Sequence, residues 1–254
     1  MALLEGMGVS KHFGGIVALD NVRFHVDEGE LVGLIGPNGA GKTTLFNVIC
    51  AFYRPDSGIV KFMDETISGL KPHQVCWKGI ARTFQITRSF HGMTALENVM
   101  IGALFGKDAH HNLDSAKEEA LRLMEFTGLA GKANMPVENL TSIDTRRLEL
   151  VRALAAKPKI ILLDEVMAGL NPHEVAEAME VIKKLRADLG ITVLMVEHIM
   201  KSVMGISDRV IVLANGQLLA EGTPEEVCNN PTVIEAYLGE PYIGEAYPEE
   251  ACQS

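Results

Sequence analysis

The residues with the clearest chemistry form a glycine-rich loop, GPNGAGKT, from Gly36 to Thr43. The loop fits the spacing G-x-x-x-x-G-K-[ST], follows the apolar run LVGLI and precedes the helix-forming stretch KTTLFNVICAF. Glycines at these positions let successive backbone N–H groups converge on phosphate oxygens, and the positive end of the next helix adds to the attraction. The pattern predicts a nucleoside triphosphate site built from Gly36, Pro37, Asn38, Gly39, Ala40, Gly41, Lys42, Thr43 and Thr44.

Two carboxylates at the end of the apolar run IILLDE complete the chemistry expected beside such a loop. Lys42 is predicted to bridge the β- and γ-phosphates, and Thr43 is predicted to hold Mg²⁺. Asp164 is predicted to hold the same ion directly or through water, and Glu165 to polarise a water molecule against the γ-phosphate. The expected reaction is hydrolysis of ATP to ADP and phosphate.

Two polar residues stand at the ends of further short strands in the sequence. Gln85 ends GIARTFQ, and His198 follows the apolar run ITVLMVE. A single histidine after a buried strand is usually structural, so His198 by itself indicates no function. The role of His198 can be interpreted only together with the other motifs of the sequence.

The order and spacing of these motifs resemble the ATP-binding cassette (ABC) ATPases, over about residues 4–239. The resemblance rests on the phosphate loop, Gln85, the helix start before RRLELVRAL, LLDE and His198. Within that superfamily the chain looks like the nucleotide-binding subunit of importers of the branched-chain amino acid type. The stretches that support this finer resemblance are SKHFGGIVALDNVRFHV, ARTFQITRSFHGMTALENVMIGA, LDEVMAGLNPHE and VIEAYLGE.

The resemblance implies roles for further residues. Phe13 takes the place of the aromatic residue that stacks on adenine, and Gln85 senses Mg²⁺ and the γ-phosphate. His198 contacts the γ-phosphate together with Glu165. The implied catalytic residues are Lys42, Gln85, Glu165 and His198, and the implied metal site comprises Thr43, Gln85 and Asp164.

The resemblance also implies partners. A second ATPase subunit, identical or different, completes each site, and transmembrane permease subunits receive the motion. An extracytoplasmic solute-binding protein takes part indirectly. The chain is then expected at the cytoplasmic face of the cell membrane, bound peripherally, and its cargo stays open among branched-chain amino acids, other amino acids, urea and short amides.

The chain departs from the family pattern in the signature, commonly L-S-G-G-Q, which reads LTSID from Leu140 to Asp144. The resemblance implies that this segment reaches the γ-phosphate held by the opposite subunit. Thr141 can replace the usual serine hydroxyl, and Ser142 is expected to cap the following helix. Ile143 adds bulk where glycine is usual, and Asp144 suits the helix dipole but opposes an incoming phosphate.

Two alternative functions remain open at this point. The altered signature is compatible with a subunit that binds ATP but hydrolyses it weakly or not at all, as the structural half of a heterodimer. The loop is also compatible with a soluble phosphotransferase or a switch GTPase, although the sequence has no NKxD-type segment for reading guanine. Arg146, Arg147 and Glu149 are expected to form a solvated helix face or a set of salt bridges.

Composition limits the class of protein further. The formal charge of −10 argues against a nucleic-acid-binding protein, because such proteins present basic faces. The four cysteines show no metal-ligand spacing. No apolar window approaches the roughly 18 residues of a membrane span, so a role at a membrane is expected to depend on partner subunits.

The predicted fold class is α/β, a P-loop NTPase with a parallel-sheet core, an N-terminal antiparallel β subdomain and an inserted α-helical subdomain. Short strands fill the first 35 residues, and helix-period patterns such as LDSAKEEALRLMEF interrupt the core. The expected boundaries are 1–86 and 157–240 for the core, about 87–156 for the helical insert, and 241–254 for an acidic tail.

Overall fold

A computed structural model describes residues 2–84, 89–107, 112–197 and 200–238 of the chain. The strands in these ranges are β1 (Ala2–Phe13), β2 (Ile16–Asp27), β3 (Leu31–Ile35), β4 (Ser57–Phe62), β5 (Glu65–Thr66), β6 (Ile80–Arg82), β7 (Ile160–Asp164), β8 (Thr192–Val196), β9 (Arg209–Ala214) and β10 (Gln217–Gly222). The helices are α1 (Lys42–Ile49), α2 (Pro72–Lys78), α3 (Ala95–Phe105), α4 (Leu113–Phe126), α5 (Ser142–Ala155), α6 (Pro172–Ala187), α7 (Met200–Ile206), α8 (Pro224–Cys228) and α9 (Pro231–Leu238).

The central sheet contains six strands in the order β10-β9-β3-β8-β7-β6. All neighbouring strands in this sheet pair in parallel except β9 and β10, which pair with each other antiparallel. Three of its four inner strands, β3, β7 and β8, are buried at every position, and β9 is buried at all but its two ends. Apolar runs without alternation form such strands because helices cover both faces of a parallel sheet. The carboxyl ends of β3, β7 and β8 therefore meet at one edge, where ligands bind in open α/β sheets.

A second sheet comes from the start of the chain and has the strand order β2-β1-β4-β5. All its pairs are antiparallel, and Phe13 pairs with Ile16 across a two-residue turn. Its inner face packs on α1 and on one face of the central sheet in a shared core that contains Leu4, Phe24, Phe46 and Ile211. Strands β1 and β2 confirm the predicted antiparallel β portion, whereas β3, at the end of the same first 35 residues, runs parallel in the central sheet.

Three helices, α3, α4 and α5, form an arm between β6 and β7. Helix α3 packs against both α4 and α5. The arm shares a continuous apolar cluster with the central sheet, in which Val99, Leu123 and Leu148 are buried together with Ile161 and Met195. The predicted fold class is thus confirmed, while the exact boundaries at residues 87 and 156 stay a prediction. Within the described ranges, no helix has both the length and the apolar character needed to cross a membrane.

Candidate functional site

The phosphate loop lies between the end of β3 and the start of α1. Gly36, Gly39 and Gly41 have φ angles of 150°, 81° and 103°, in the region that side chains disfavour. A Cβ atom on Gly36 would lie 2.1 Å from the carbonyl oxygen of Leu213, and one on Gly41 would lie 2.5 Å from that of Ala18. The backbone here can close around a ligand only because these two positions are glycine.

Lys42 is bound to the loop that precedes it. Its ammonium donates hydrogen bonds to the carbonyl oxygens of Gly36 (2.5 Å) and Pro37 (3.1 Å), and the residue is 7% exposed. Burial lowers the pKa of Lys42, whereas the carboxylates of Glu165 and Asp164 act in the opposite direction. The loop cation and the two predicted carboxylates therefore lie close enough to interact electrostatically, as expected from the sequence.

Asp164 is the last residue of β7 and is 2% exposed. The backbone N–H of Asp164 donates to the Thr83 hydroxyl at 3.0 Å, and its carboxylate accepts from Arg82 at 2.6 Å. Glu165 follows with a φ of 51°, and its N–H donates to the Val196 carbonyl at 2.9 Å. A glutamate in the left-handed region carries backbone strain of about 1–2 kcal/mol, which is characteristic of residues held for function.

The chemistry of these side chains fits a magnesium ion beside a triphosphate. Mg²⁺ prefers hydroxyl, carboxylate and phosphate oxygens, and the chain offers the exposed Thr43 at the start of α1 and Asp164 at the end of β7. Bound there, the ion would neutralise charge on the β- and γ-phosphates.

Phe13 ends β1 with 41% of its surface exposed, as a base-stacking residue requires. Tyr53 packs against it edge to face, with ring centroids 5.1 Å apart. The ammonium of Lys11 lies 5.6 Å from the Phe13 ring centroid and pairs with Asp56 at 2.8 Å. Tyr53 packs on the ring of Phe13, and this contact could not be predicted from the sequence because Tyr53 lies 40 residues away, after α1.

The signature segment begins α5, and Thr141 is its N-cap. The Thr141 hydroxyl accepts from the backbone N–H of Asp144 at 3.2 Å and donates to the Asp144 carboxylate at 2.5 Å. The expectation that Ser142 caps the helix is therefore wrong. Ser142 is the first helical residue, because the Thr141 side chain already reaches the third helical N–H. Both Thr141 and Ser142 are exposed, so their surfaces are accessible to another subunit.

Asp144 is turned inward. It is 5% exposed and forms an ion pair with Lys132. Burial would raise the pKa of Asp144, but hydrogen bonds from Lys132 and Thr141 outweigh it and hold the pKa below its usual value. The carboxylate is thus neutralised within its own subunit, which removes much of the repulsion toward phosphate that the sequence suggested.

Ile143 also faces its own subunit. It lines a cavity of about 50 Å³ between α5 and α6 together with Arg146, Val166 and Leu170. Arg146 donates hydrogen bonds to the carbonyl oxygens of Val166, at 3.3 Å, and Ala168. The signature helix is therefore tied to the segment that follows Glu165, a contact that the sequence did not predict.

Of the two arrangements expected around Arg146, a solvated helix face or a set of salt bridges, the structure shows mainly the second. Arg147 pairs with Glu177 of α6 at 2.6 Å, and Glu149, which is 5% exposed, lies 3.9 Å from Arg152. Another buried carboxylate, Glu197, accepts from the backbone N–H of Met167 at 2.8 Å and so ties the end of β8 to the segment after Glu165. The only hint of this role in the sequence is that Glu197 stands directly before His198.

Two predicted site residues, Gln85 and His198, lie outside the described residues, as does the tail 241–254. Their roles stay predictions. Each directly follows a described residue, Phe84 and Glu197 respectively, at the edge where the parallel strands end.

The C-terminal helix α9 reaches the phosphate loop. Val233 and Ile234 of this helix are buried, and Tyr237, which is 39% exposed, brings its phenol near the backbone of Gly36. Partial burial raises the pKa of Tyr237 to about 12, while the nearby Gly36 backbone acts to lower it. Tyr237 and Gly36 are far apart in the sequence, and only the tertiary fold brings them together.

The chain is similar to known proteins in both sequence and structure. Residues 19–168 match the family described as ABC transporter, and residues 217–243 match that described as branched-chain amino acid ATP-binding cassette transporter. The chain is 42% identical to the high-affinity branched-chain amino acid transport ATP-binding protein BraF of Pseudomonas aeruginosa and 43% identical to LivG of Escherichia coli K12. Both alignments cover 94% of this chain and 98% of the relative.

Solved structures agree with the sequence relatives. The ADP conformation of MJ1267, an ATP-binding cassette of an ABC transporter, superposes with a TM-score of 0.85 at 33% identity, over 94% of this chain and all of that one. The dimeric structure of MJ0796, a bacterial ABC transporter cassette, gives a TM-score of 0.80 at 28% identity, over 87% of this chain and 98% of that one.

Proposed function

The chain belongs to the ABC transporter family of ATP-binding cassettes, and from this premise we propose that it is the ATP-hydrolysing subunit of an importer of branched-chain amino acids. One observation carries the proposal: curated relatives whose names give high-affinity branched-chain amino acid transport align over 98% of their length. The match at residues 217–243 supports the same transport class. The phosphotransferase and GTPase alternatives find no support in these relatives.

The geometry of the described site supports the assigned steps. The N–H groups of the phosphate loop and Lys42 bind the β- and γ-phosphates, and Phe13 stacks on adenine. Glu165, half-exposed at the end of β7, orients and polarises the attacking water. Gln85 and His198 are proposed to approach the γ-phosphate from the ends of neighbouring strands, and Thr43 and Asp164 to hold Mg²⁺.

Each site is proposed to form between two subunits. The exposed start of α5, with Thr141 and Ser142, faces the γ-phosphate bound by the opposite phosphate loop, where helical N–H groups favour an anion. The dimeric cassette among the similar structures supports such an arrangement. ATP binding closes the dimer, and hydrolysis reopens it.

The permease subunits are proposed to contact the arm side of the chain. A groove of about 500 Å³ runs between the central sheet and the arm, and Trp77 and Phe105 beside it are 53% and 69% exposed. Apolar surface of this kind is typical of a protein contact. The chain is then peripheral at the cytoplasmic membrane face, with the solute-binding protein acting on the permease rather than on this subunit.

The test is steady-state ATP hydrolysis by the purified chain over a range of protein concentrations, beside Glu165→Gln. We expect activity to rise more than linearly with concentration, because two chains make each site. Glu165→Gln should lose hydrolysis and accumulate an ATP-bound dimer, measured by size-exclusion chromatography. Tight ATP binding without turnover in the wild-type chain would contradict the proposal and indicate the non-hydrolysing half of a heterodimer.

The cargo is tested separately, by uptake of labelled leucine, isoleucine and valine in cells of the source organism that lack the gene. Uptake should return with the wild-type gene but not with the Glu165→Gln gene. Unchanged leucine, isoleucine and valine uptake alongside lost uptake of urea or a short amide would assign a different cargo.

A further inference from the structure

Arg82 and Asp164 form a nearly fully buried ion pair beside the phosphate loop. The Nη2 atom of Arg82 donates to Oδ2 of Asp164 at 2.6 Å, and the two side chains are 6% and 2% exposed. Arg82 ends β6 and Asp164 ends β7, and these strands are paired in the sheet. The contact therefore sits at the sheet edge where the site is built.

Both terminal nitrogens of the Arg82 guanidinium are held by hydrogen bonds, whereas its buried Nε has no partner among the described residues. Its Nη1 atom donates to Oδ1 of Asn47 at 2.6 Å, on the helix that follows the phosphate loop. The rings of Phe46 and Phe84 lie 5.4 Å and 5.2 Å from its central carbon, at distances typical of cation–π contacts. Arg82 thus joins α1, β6 and β7 through directional contacts that a lysine could not reproduce.

Stability alone is a weak reason for such a pair. Removing two charges from water is costly, and apolar side chains of similar volume often replace buried ion pairs without loss of stability. The pair instead fixes Asp164, the carboxylate assigned to Mg²⁺. Arg82 engages it through Oδ2, which leaves Oδ1 as the oxygen that would contact the ion.

We propose that Arg82 is a positioning residue that sets the orientation of the Asp164 carboxylate for Mg²⁺–ATP. The inference rests on the proposed function, since it deepens the role given there to Asp164. Arg82 also lines the groove between the central sheet and the arm. A structural change in that groove can therefore be transmitted to the Asp164 carboxylate through the Arg82 side chain.

The test compares Arg82→Met, Arg82→Lys and the matched control Arg152→Met. Arg152 is a second largely buried arginine of the same groove, stacked over Phe90 at 5.3 Å and 3.9 Å from Glu149. Two quantities are measured: the gain in affinity for the fluorescent analogue mant-ATP on adding Mg²⁺ over EDTA, and the Mg²⁺ concentration that half-activates hydrolysis.

For Arg82→Met we expect the half-activating Mg²⁺ concentration to rise roughly tenfold or more, because loss of a residue that orients a metal ligand costs about 10–100-fold. Affinity for mant-ATP in EDTA should stay within about twofold, since the phosphate loop is untouched. Arg82→Lys should recover part of the effect, and Arg152→Met should match the wild-type chain in both measurements.

Wild-type Mg²⁺ dependence in Arg82→Met, or an equal shift in Arg152→Met, would overturn the proposal. If Arg82→Met does not fold, Asn47→Ala releases the other end of the guanidinium and leaves the ion pair. It should then shift the Mg²⁺ dependence in the same direction, and no shift would again overturn the proposal. The binding measurement needs no turnover, so an inactive wild-type chain would contradict the proposed function while still testing Arg82.

Discussion

At the scale of single residues, the signature segment shows how an unusual residue is accommodated. Asp144 stands where glutamine is common in the family signature, and its carboxylate closes a capping box with Thr141 and pairs with Lys132. The negative charge stabilises the start of α5 through the helix dipole and is screened from a phosphate by the lysine. The altered signature therefore keeps an N-terminus able to attract an anion.

Replacing Asp144 by alanine should lower the free energy of unfolding by about 1 kcal/mol at neutral pH, because the capping box loses its carboxylate hydrogen bonds while the Thr141 cap remains. The pKa of Asp144 is lowered in the folded chain, so its stabilisation is present above the unfolded value and is lost as pH falls through the folded value. The difference between wild type and Asp144→Ala in urea unfolding should hence shrink below about pH 4. A difference that is constant down to pH 3 would contradict this account.

At the scale of elements, the site depends on how strand ends and helix starts are tied together. Arg146 ties α5 to the segment after Glu165, and Glu197 ties the end of β8 to the same segment. Glu165 itself occupies a strained backbone conformation. These bonds hold the strain in place, since a residue persists there only when its surroundings determine the conformation.

Helix α9 adds a contact from the far end of the chain, and Tyr237→Phe tests it. Loss of the phenol oxygen beside Gly36 should weaken ATP binding by about two- to tenfold, in line with about 1 kcal/mol for one polar contact. The thermal unfolding midpoint should move little, because the ring is kept. Affinity is measured by titration with mant-ATP.

Tyr237→Leu serves as the comparison, because it removes the ring as well as the hydroxyl. Wild-type affinity in Tyr237→Phe combined with weak binding in Tyr237→Leu would assign the effect to packing of α9 rather than to the Tyr237 hydroxyl.

At the scale of the whole molecule, the proposed site is divided into two half-sites, the phosphate loop of one chain and the start of α5 of the other. The phosphate loop lies at the ends of the central strands, and the exposed start of α5 lies on the arm. A symmetric pair can bring each half-site against the other chain's complement, as closed twofold assemblies do. Mixing defective chains tests this arrangement.

Lys42→Ala removes the loop cation, and Ser142→Glu places an anion at the start of α5 without weakening the helix. Each variant alone should be inactive in ATP hydrolysis. An equal mixture should recover about a quarter of wild-type activity, because half of the dimers are mixed and each of these keeps one intact site. The control mixes Lys42→Ala with the double variant Lys42→Ala/Ser142→Glu, and it should recover nothing. Equal activity in the two mixtures would contradict a shared site.

The sequence by itself determined the features that depend on short segments. The phosphate loop, the buried strands β3, β7 and β8, and the carboxylates after β7 follow from local spacing and apolar runs. These features can be predicted from the sequence because backbone geometry and burial impose regular spacing on residues that are close together in the chain. Helix α2 and strand β10 carried weaker local signals and were not predicted, and the cap of α5 was assigned one residue too late.

Only the tertiary structure decided which distant residues meet. Arg82 and Asp164 are 82 residues apart in sequence, and Tyr237 and Gly36 come from opposite ends of the chain. The inward turn of Asp144 depends on Lys132, which the sequence gives no reason to place beside it. Contacts of this kind follow from sheet order and helix packing, because these bring side chains together without leaving a periodic pattern along the chain.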